Sequence, residues 1–436
     1  MITVSNSNQL SLRSVEITKF KIAAYTTVLI IFSFTLFACS KNETHITIWT
    51  DRAEFVPYVE LFNSMHRAQK VLLVYKSNPS QAILSANEPM PDLVIGSWLC
   101  TDKMNHVFRP LDTVFDRKGI SPALFYPQLL NSGKMRRTQY LLPVSFNLPA
   151  VIFAKENAEH VEEDYILSLE QLRAAGKSFN MQQANGVYTR IGFAPLANDD
   201  FLYFAAKAKG AEFRETKTSF TWNSKELSNA VLYLQHWTKD ANTSANAERD
   251  FIYKYLFMAA HKQVASNRTL FAYTTSDAFF RLPEEQLNAL EYRWISENKK
   301  IPVEDSFVML GIPRRSKHPN AAYDFIDWFF NVETQRNILD YTAAQNLGVD
   351  EFGIAGGFSA IREVNEQILP LYKTALLSNT PPATMLSVPN HLPSRWNDMK
   401  KQIVIPYLQQ EAGADDSSQT SGLSERINDW IKRHYN

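Results

Sequence analysis

Two short stretches bring an aromatic ring and carboxylates close together. Trp49-Thr50-Asp51, followed by Glu54, is one; Ser97-Trp98, followed by Asp102, is the other. An indole face covers C–H groups, and a carboxylate accepts hydrogen bonds in pairs, so such a set holds a polar molecule without reacting with it. Spacings that perform covalent or metal chemistry are missing: there is no HExxH, GxSxG, GxxxxGK[ST] or GxGxxG. The nine histidines are scattered, and no Asp-rich calcium loop occurs. No catalytic residue, metal site or cofactor is therefore expected.

The elements that position these residues follow from periodicity. Residues 45–50 (HITIWT) alternate as a strand, residues 54–66 carry Phe55, Tyr58, Val59, Phe62 and Met65 at helical spacing, and Val71–Tyr75 and Pro91–Gly96 read as further strands. Strand–helix–strand order predicts an α/β parallel sheet, which binds ligands at the carboxyl ends of its strands. Both aromatic–acid stretches fall at such ends. Tyr140–Phe153 (YLLPVSFNLPAVIF) differs: two apolar runs flank Ser145 and Asn147 with no room for a helix, as expected of an extended segment passing between two bodies. A second α/β-like region follows, with a loop Asn198-Asp199-Asp200, a helix over Phe201–Lys209, and helices around Leu227–Trp237 and Arg249–His261. Val308–Ile312 is a late strand. Pro319 suits the first turn of a helix, Asn331 caps the next, Gly353–Gly357 is a turn, Ala412–Gly422 a surface loop, and Leu423–His434 a closing amphipathic helix.

A chain of 436 residues suggests two or three domains. Forty-five basic and 45 acidic residues balance, which excludes the basic footprint of a nucleic-acid binder. Two cysteines, Cys39 and Cys100, cannot build a disulfide framework, and Cys100 reads as a small buried hydrophobe.

The amino terminus sets the compartment. Arg13, Lys19 and Lys21 precede an uncharged run over residues 22–38 that ends at Ala38-Cys39. This resembles a lipoprotein signal peptide, with Phe37 where a smaller residue is usual. The resemblance implies that residues 1–38 are removed, that Cys39 carries a diacylglycerol anchor, and that 39–43 form a tether. The other reading is an uncleaved anchor, for which the run is short against the roughly 20 residues of a spanning helix. Both hold the remaining chain outside the cytoplasm, at the cell envelope.

Several segments, in order, resemble the extracellular solute-binding proteins of bacterial ABC importers, in the maltodextrin-binding-protein-like group. They are ITIWT with its following helix, PDLVIGSW, YLLPVSFNLPAVIFAKE, GFAPLANDDFLYFAAKAKGAEF, IPRRSKHPNAAYDFIDWFFNVETQRNIL and LPSRWNDMKKQIVIPYL. The resemblance implies a two-lobed α/β periplasmic-binding-protein fold of type II kind, with discontinuous lobes joined by crossing hinge strands. One lobe would take 44–146 plus 307–362, the other 147–306 plus 363–436. It implies a monomer that captures a carbohydrate and passes it to membrane permease subunits. Trp49, Asp51, Glu54, Trp98 and Asp102 would contact it from the first lobe, Asn198, Asp199 and Asp200 from the second, with Ser145 and Asn147 at the cleft floor. Phe271 and Trp396 are added because the family places aromatics there. Departures from the family pattern are His261-Lys262 for a Gly-Lys pair, a missing proline at Gly356-Gly357-Phe358, and Asn198 for an acid. The rival readings are a binder of another solute (a glycerophosphodiester, polyamine or iron) and a secreted carbohydrate hydrolase, whose distant acids leave no motif.

Overall fold

The computed structural model describes residues 44–434, apart from 86–87, 118, 217–218, 346–350, 378 and 415–421. The expected leader, Cys39 and the tether lie outside the described residues, as does most of the expected loop over 412–422.

The chain begins with β1 (Thr44–Thr50), α1 (Phe55–Met65), β2 (Gln69–Tyr75) and β3 (Leu93–Gly96). β1 pairs in parallel with both β2 and β3. Helix α1 buries Phe55, Tyr58, Val59 and Phe62 of the stripe its spacing predicts, while Met65, the last of that stripe, is exposed. β4 (Leu142–Phe146) and β5 (Pro149–Ala154) follow, then β6 (Ile166–Ser168), α2 (Leu169–Phe179), α3 (Asp199–Ala208), α4 (Ser224–Asn242), β7 (Ala272–Thr275) and β8 (Leu290–Ser296). The last third holds β9 (Val308–Gly311), α5 (Pro319–Phe329), α6 (Val332–Ala344), β10 (Phe358–Ser359) and α7 (Ile405–Ala412). The single helix expected around Arg249–His261 is two, Ala245–Lys254 and Ala260–Ala265, separated by an exposed turn at Tyr255–Ala259.

These strands form two main sheets. The first has the order β10-β4-β9-β3-β1-β2, the second β7-β5-β8-β6. β9 therefore lies between β3 and β4, antiparallel to both, although all of the second sheet precedes it in the chain. The loop that starts α5 is pinned to the first sheet by Asp92. Its buried carboxylate accepts from Thr47 N, Ser316 Oγ, Lys317 N and His318 N at 2.9–3.1 Å.

The chain passes between the sheets three times. Asn147 and Leu148 alone separate β4 from β5. The second passage, Val303–Phe307, leads from the pair Ile301–Pro302 into β9, and Ile301–Pro302 lies parallel to Leu386–Ser387 on the third. Asn147 ties the passages together. Its carbonyl accepts from Glu304 N at 2.9 Å, its Nδ2 donates to Gly356 O at 2.9 Å, and its Oδ1 accepts from Ser276 Oγ at 2.6 Å.

Strand period explains the core. Ala150, Ile152 and Ala154 of β5 face one way, into the hydrophobic cluster that contains the first sheet, with Phe280, Phe352 and Phe358. Val151 and Phe153 face the other way, into a second cluster with Phe201, Trp237 and Trp396. Val364, Ile368, Leu369 and Leu376, which the sequence boundaries assign to the second lobe, pack in the first of these clusters.

Candidate functional site

The carboxyl ends of β1 and β3 meet at Asp51, Arg52 and Ser97. Asp51 Oδ2 accepts from Ser97 N at 3.2 Å, and its other oxygen lies 3.4 Å from Arg52 Nε. Burial raises the Asp51 carboxyl above the usual range, with Arg52 opposing. Arg52 also donates to Ser306 O at 3.1 Å, so this corner grips the second passage. A side chain at Gly96 would meet Asp51 Oδ1 at 2.9 Å and Pro79 at 2.6 Å, which is why glycine ends β3. Beyond it Trp98 takes a left-handed backbone, φ 62°, and packs against the second-lobe cluster. The space between Trp98, Asp305, Phe307 and Asn390 is about 10 Å³, room for roughly one water.

Next to it the lobes leave a groove of two adjoining pockets. The larger, about 430 Å³, runs along Asn105, His106, Lys134 and Arg136; the other, about 370 Å³, lies between Gln128 and Ser132 on one wall and Arg214 and Asn390 on the other. Asp102 and His391 line both. His391 Nδ1 is 3.3 Å from Asp102, and its Nε2 is 3.3 Å from Ser132 O. Glu215 lies beside them, its carboxyl raised by burial and opposed by Lys103. The third passage is fastened to the first lobe here: Leu392 N donates to Cys100 O at 3.2 Å, and Asn78 Nδ2 donates to Ser394 O at 3.0 Å.

Behind the groove, the second passage carries Glu304 and Asp305 into the second lobe. Asp305 accepts from Lys207 Nζ at 2.6 Å, Trp396 Nε1 at 2.8 Å and Tyr203 Oη at 2.5 Å. Burial opposes its charge, but Lys207 and Lys400 outweigh that and hold its carboxyl below the usual range. Burial dominates at Glu304 and raises it. Asp305 is thus an ionised, fully partnered group. No group of described His, Cys, Asp and Glu residues has the arrangement of a metal site.

The model of the family described as bacterial extracellular solute-binding protein matches residues 58–345, about two thirds of the sequence. The chain belongs to this family. No protein with a curated description matches the sequence. Among solved structures, this solute-binding protein is similar to the sugar-binding protein MalE from Xanthomonas citri, with a TM-score of 0.64 at 11% identity, over 89% of this chain and 96% of that one. It is similar to an ABC substrate-binding protein from Listeria monocytogenes in complex with cycloalternan (TM-score 0.59, 16% identity, 90% and 99% covered). A third is the galacto-N-biose/lacto-N-biose I-binding protein from Bifidobacterium longum (TM-score 0.54, 14% identity, 89% and 97% covered). At these identities the likeness establishes the two-lobed α/β fold.

Within this solute-binding protein the residues named from sequence part company. Asp51, Trp98 and Asp102 stand at the strand ends facing the other lobe. Trp49 sits inside β1, 3% exposed, with the Lys76 ammonium 4.8 Å from its ring centre. Glu54 faces the turn at Gly356, whose φ of 74° suits glycine. Ser145 is buried and donates to Ala355 O at 3.2 Å, and Asn147 is occupied by the hinge contacts above. Asn198 caps α3, accepting from Phe201 N at 2.9 Å, as its position before an aromatic-rich helix allows. Asp199 is exposed and accepts from Gln409; Asp200 is exposed beside Glu304 and Tyr273. Phe271 lies in the second core against Phe153. Trp396 is fully buried and reaches the cleft floor only through Asp305.

Sequence reasoning missed Arg214, Asn390, His391, Glu304 and Asp305. A usable signal existed for the last two. IPVEDSFVML sets a polar pair between apolar runs, as YLLPVSFNLPAVIF does, and both prove to be passages between lobes.

Proposed function

We propose that this solute-binding protein is the carbohydrate-capturing subunit of an ABC importer, held at the outer face of a membrane by a lipid on Cys39 and acting as a monomer without catalysis. The observation that carries the reading is the groove between the lobes, where Asp102, Gln128 and Ser132 converge with Arg214, Asn390 and His391 from the far side. Such hydroxyl-, amide- and carboxylate-bearing walls match the rim of a polyol. Structures of similar fold are described in complex with cycloalternan and lacto-N-biose, which favours the same solute class here. No described helix is long and apolar enough to cross a membrane.

Capture would proceed by hinge closure. A solute that touches both walls stabilises the closed arrangement by its differential affinity for it, and a permease would read that shape. The test is a thermal-shift screen of the mature chain against neutral and acidic mono- and oligosaccharides. A ligand at about 100 times its Kd stabilises by ~2.7 kcal/mol. A carbohydrate that raises the melting temperature and is recovered intact supports the reading. Hydrolysis of the sugar, or stabilisation by polyamines or iron alone, sinks it.

A further inference from the structure

The groove beside Trp98 is charged in a way that a neutral sugar does not require. Three permanent cations, Lys134, Arg136 and Arg214, line it against Asp102, with Glu215 beside that carboxylate and the imidazoles of His106 and His391 also on the lining. Cations and anions balance over the whole sequence, so the excess is local. Among the described residues none of the three cations meets a carboxylate. Arg214 donates to the amide oxygen of Asn390 at 2.6 Å, and Lys134 to that of Asn131 at 3.1 Å. Elsewhere Arg117, Arg173, Lys207 and Lys209 each reach a carboxylate at 3.0 Å or less. The groove also lacks what a neutral sugar does require. Neither pocket is lined by Trp, Tyr or Phe, and Trp98 turns its ring onto the second core.

We propose that the groove takes a sugar bearing an anionic group, phosphate or carboxylate. Arg214 holds the charge in one pocket and Lys134 with Arg136 attract it from the adjoining one, while Asp102, which lines both, and the amides take hydroxyls. An arginine fork meets two oxygens of such a group at once, and unpaired cations at a water-filled rim are attractive to an anion without the desolvation cost of buried ones. This rests on the carbohydrate reading and narrows it.

The test is isothermal titration of the mature chain with four probes: maltotriose, trigalacturonate, glucose 6-phosphate and inorganic phosphate. The expected result is that trigalacturonate or glucose 6-phosphate binds at least tenfold more tightly than maltotriose, and that raising the salt weakens it. Arg214→Ala and the double variant Lys134→Ala/Arg136→Ala each raise that Kd about tenfold or more. All three side chains border open pockets, and unchanged melting temperatures confirm intact folding. Which of the two acidic sugars wins identifies the anion. Binding of maltotriose as tight as that of either acidic sugar, untouched by both variants, overturns the inference and leaves the carbohydrate reading standing. Binding of inorganic phosphate as tight as that of glucose 6-phosphate overturns it by removing the sugar. No binding of any sugar overturns both.

Discussion

The hinge floor and the groove are both built from charged side chains, and they use them oppositely. At the floor, Asp305 accepts from Lys207, Tyr203 and Trp396 and is closed off from water. In the groove, a few residues away across the third passage, Arg214 and Lys134 touch only neutral amides. Net charge therefore does not mark the site. What marks it is charge left unneutralised where solvent reaches, because a buried charge must be partnered to be tolerated at all.

Removing the carboxylate at the floor is the strongest way to break this contrast. Asp305→Ala strands the Lys207 ammonium and two donors in the interior, and we expect a loss of about 3–5 kcal/mol in denaturant-induced unfolding. A loss under ~1 kcal/mol would show the floor to be as loosely coupled as the rim. Asn147→Ala removes the side chain that links the first passage to Gly356 and Ser276. The cost should be about 1–3 kcal/mol in the same measurement, from buried groups left unmatched. Trp98→Ala acts at the edge of the other region. Its ring packs on the second core and lines neither pocket of the groove, so the loss should appear as about 1–2 kcal/mol in unfolding with the Kd of the solute found by screening moved less than about threefold; a tenfold rise in Kd, ~1.4 kcal/mol, would place the ring against the solute instead. The smallest effect sharpens the contrast with a buried acid that has no ammonium partner. Glu248 accepts from Asn242 Nδ2 and Leu196 N, and burial pushes its carboxyl up to about 7. The folded state thus holds this proton when the unfolded chain has released it. The contribution is full below the ordinary carboxylate range and fades as pH rises through about 7. Glu248→Gln should flatten the fall of melting temperature over that interval. An unaltered slope would assign the titration elsewhere.

The fold was legible where periodicity is local. β1 to β3, α1, the closing helix at Leu423–His434, the Pro319 start of α5 and the Asn331 cap, which accepts from Thr334 N at 3.1 Å, all stand where the spacing put them. Of the residues named from sequence, Asp102 lines the candidate groove and Trp98 the small space beside it. Asp51, Trp98 and Asp102 follow from a single rule about strand ends, which needs only neighbouring residues. Trp49 met the same rule, yet it points into a sheet covered on both faces, and distance along a strand cannot tell a terminal residue from a buried one. Arg214 and His391 reach the groove only because three passages of the chain fold back on one another, so no local pattern announces them. Phe271 and Trp396 came from resemblance, which conveys position along a chain but not the direction of a ring.

The placement of Val308–Gly311 has a consequence for how the protein is made. It fills the gap between Leu93–Gly96 and Leu142–Phe146, and it leaves the ribosome only after every strand of the other sheet. Until then two edges stay open, and the early portion cannot complete a stable body. The first sheet is therefore finished by the final third of the chain, and a polypeptide cut short before Val308 lacks its middle strand.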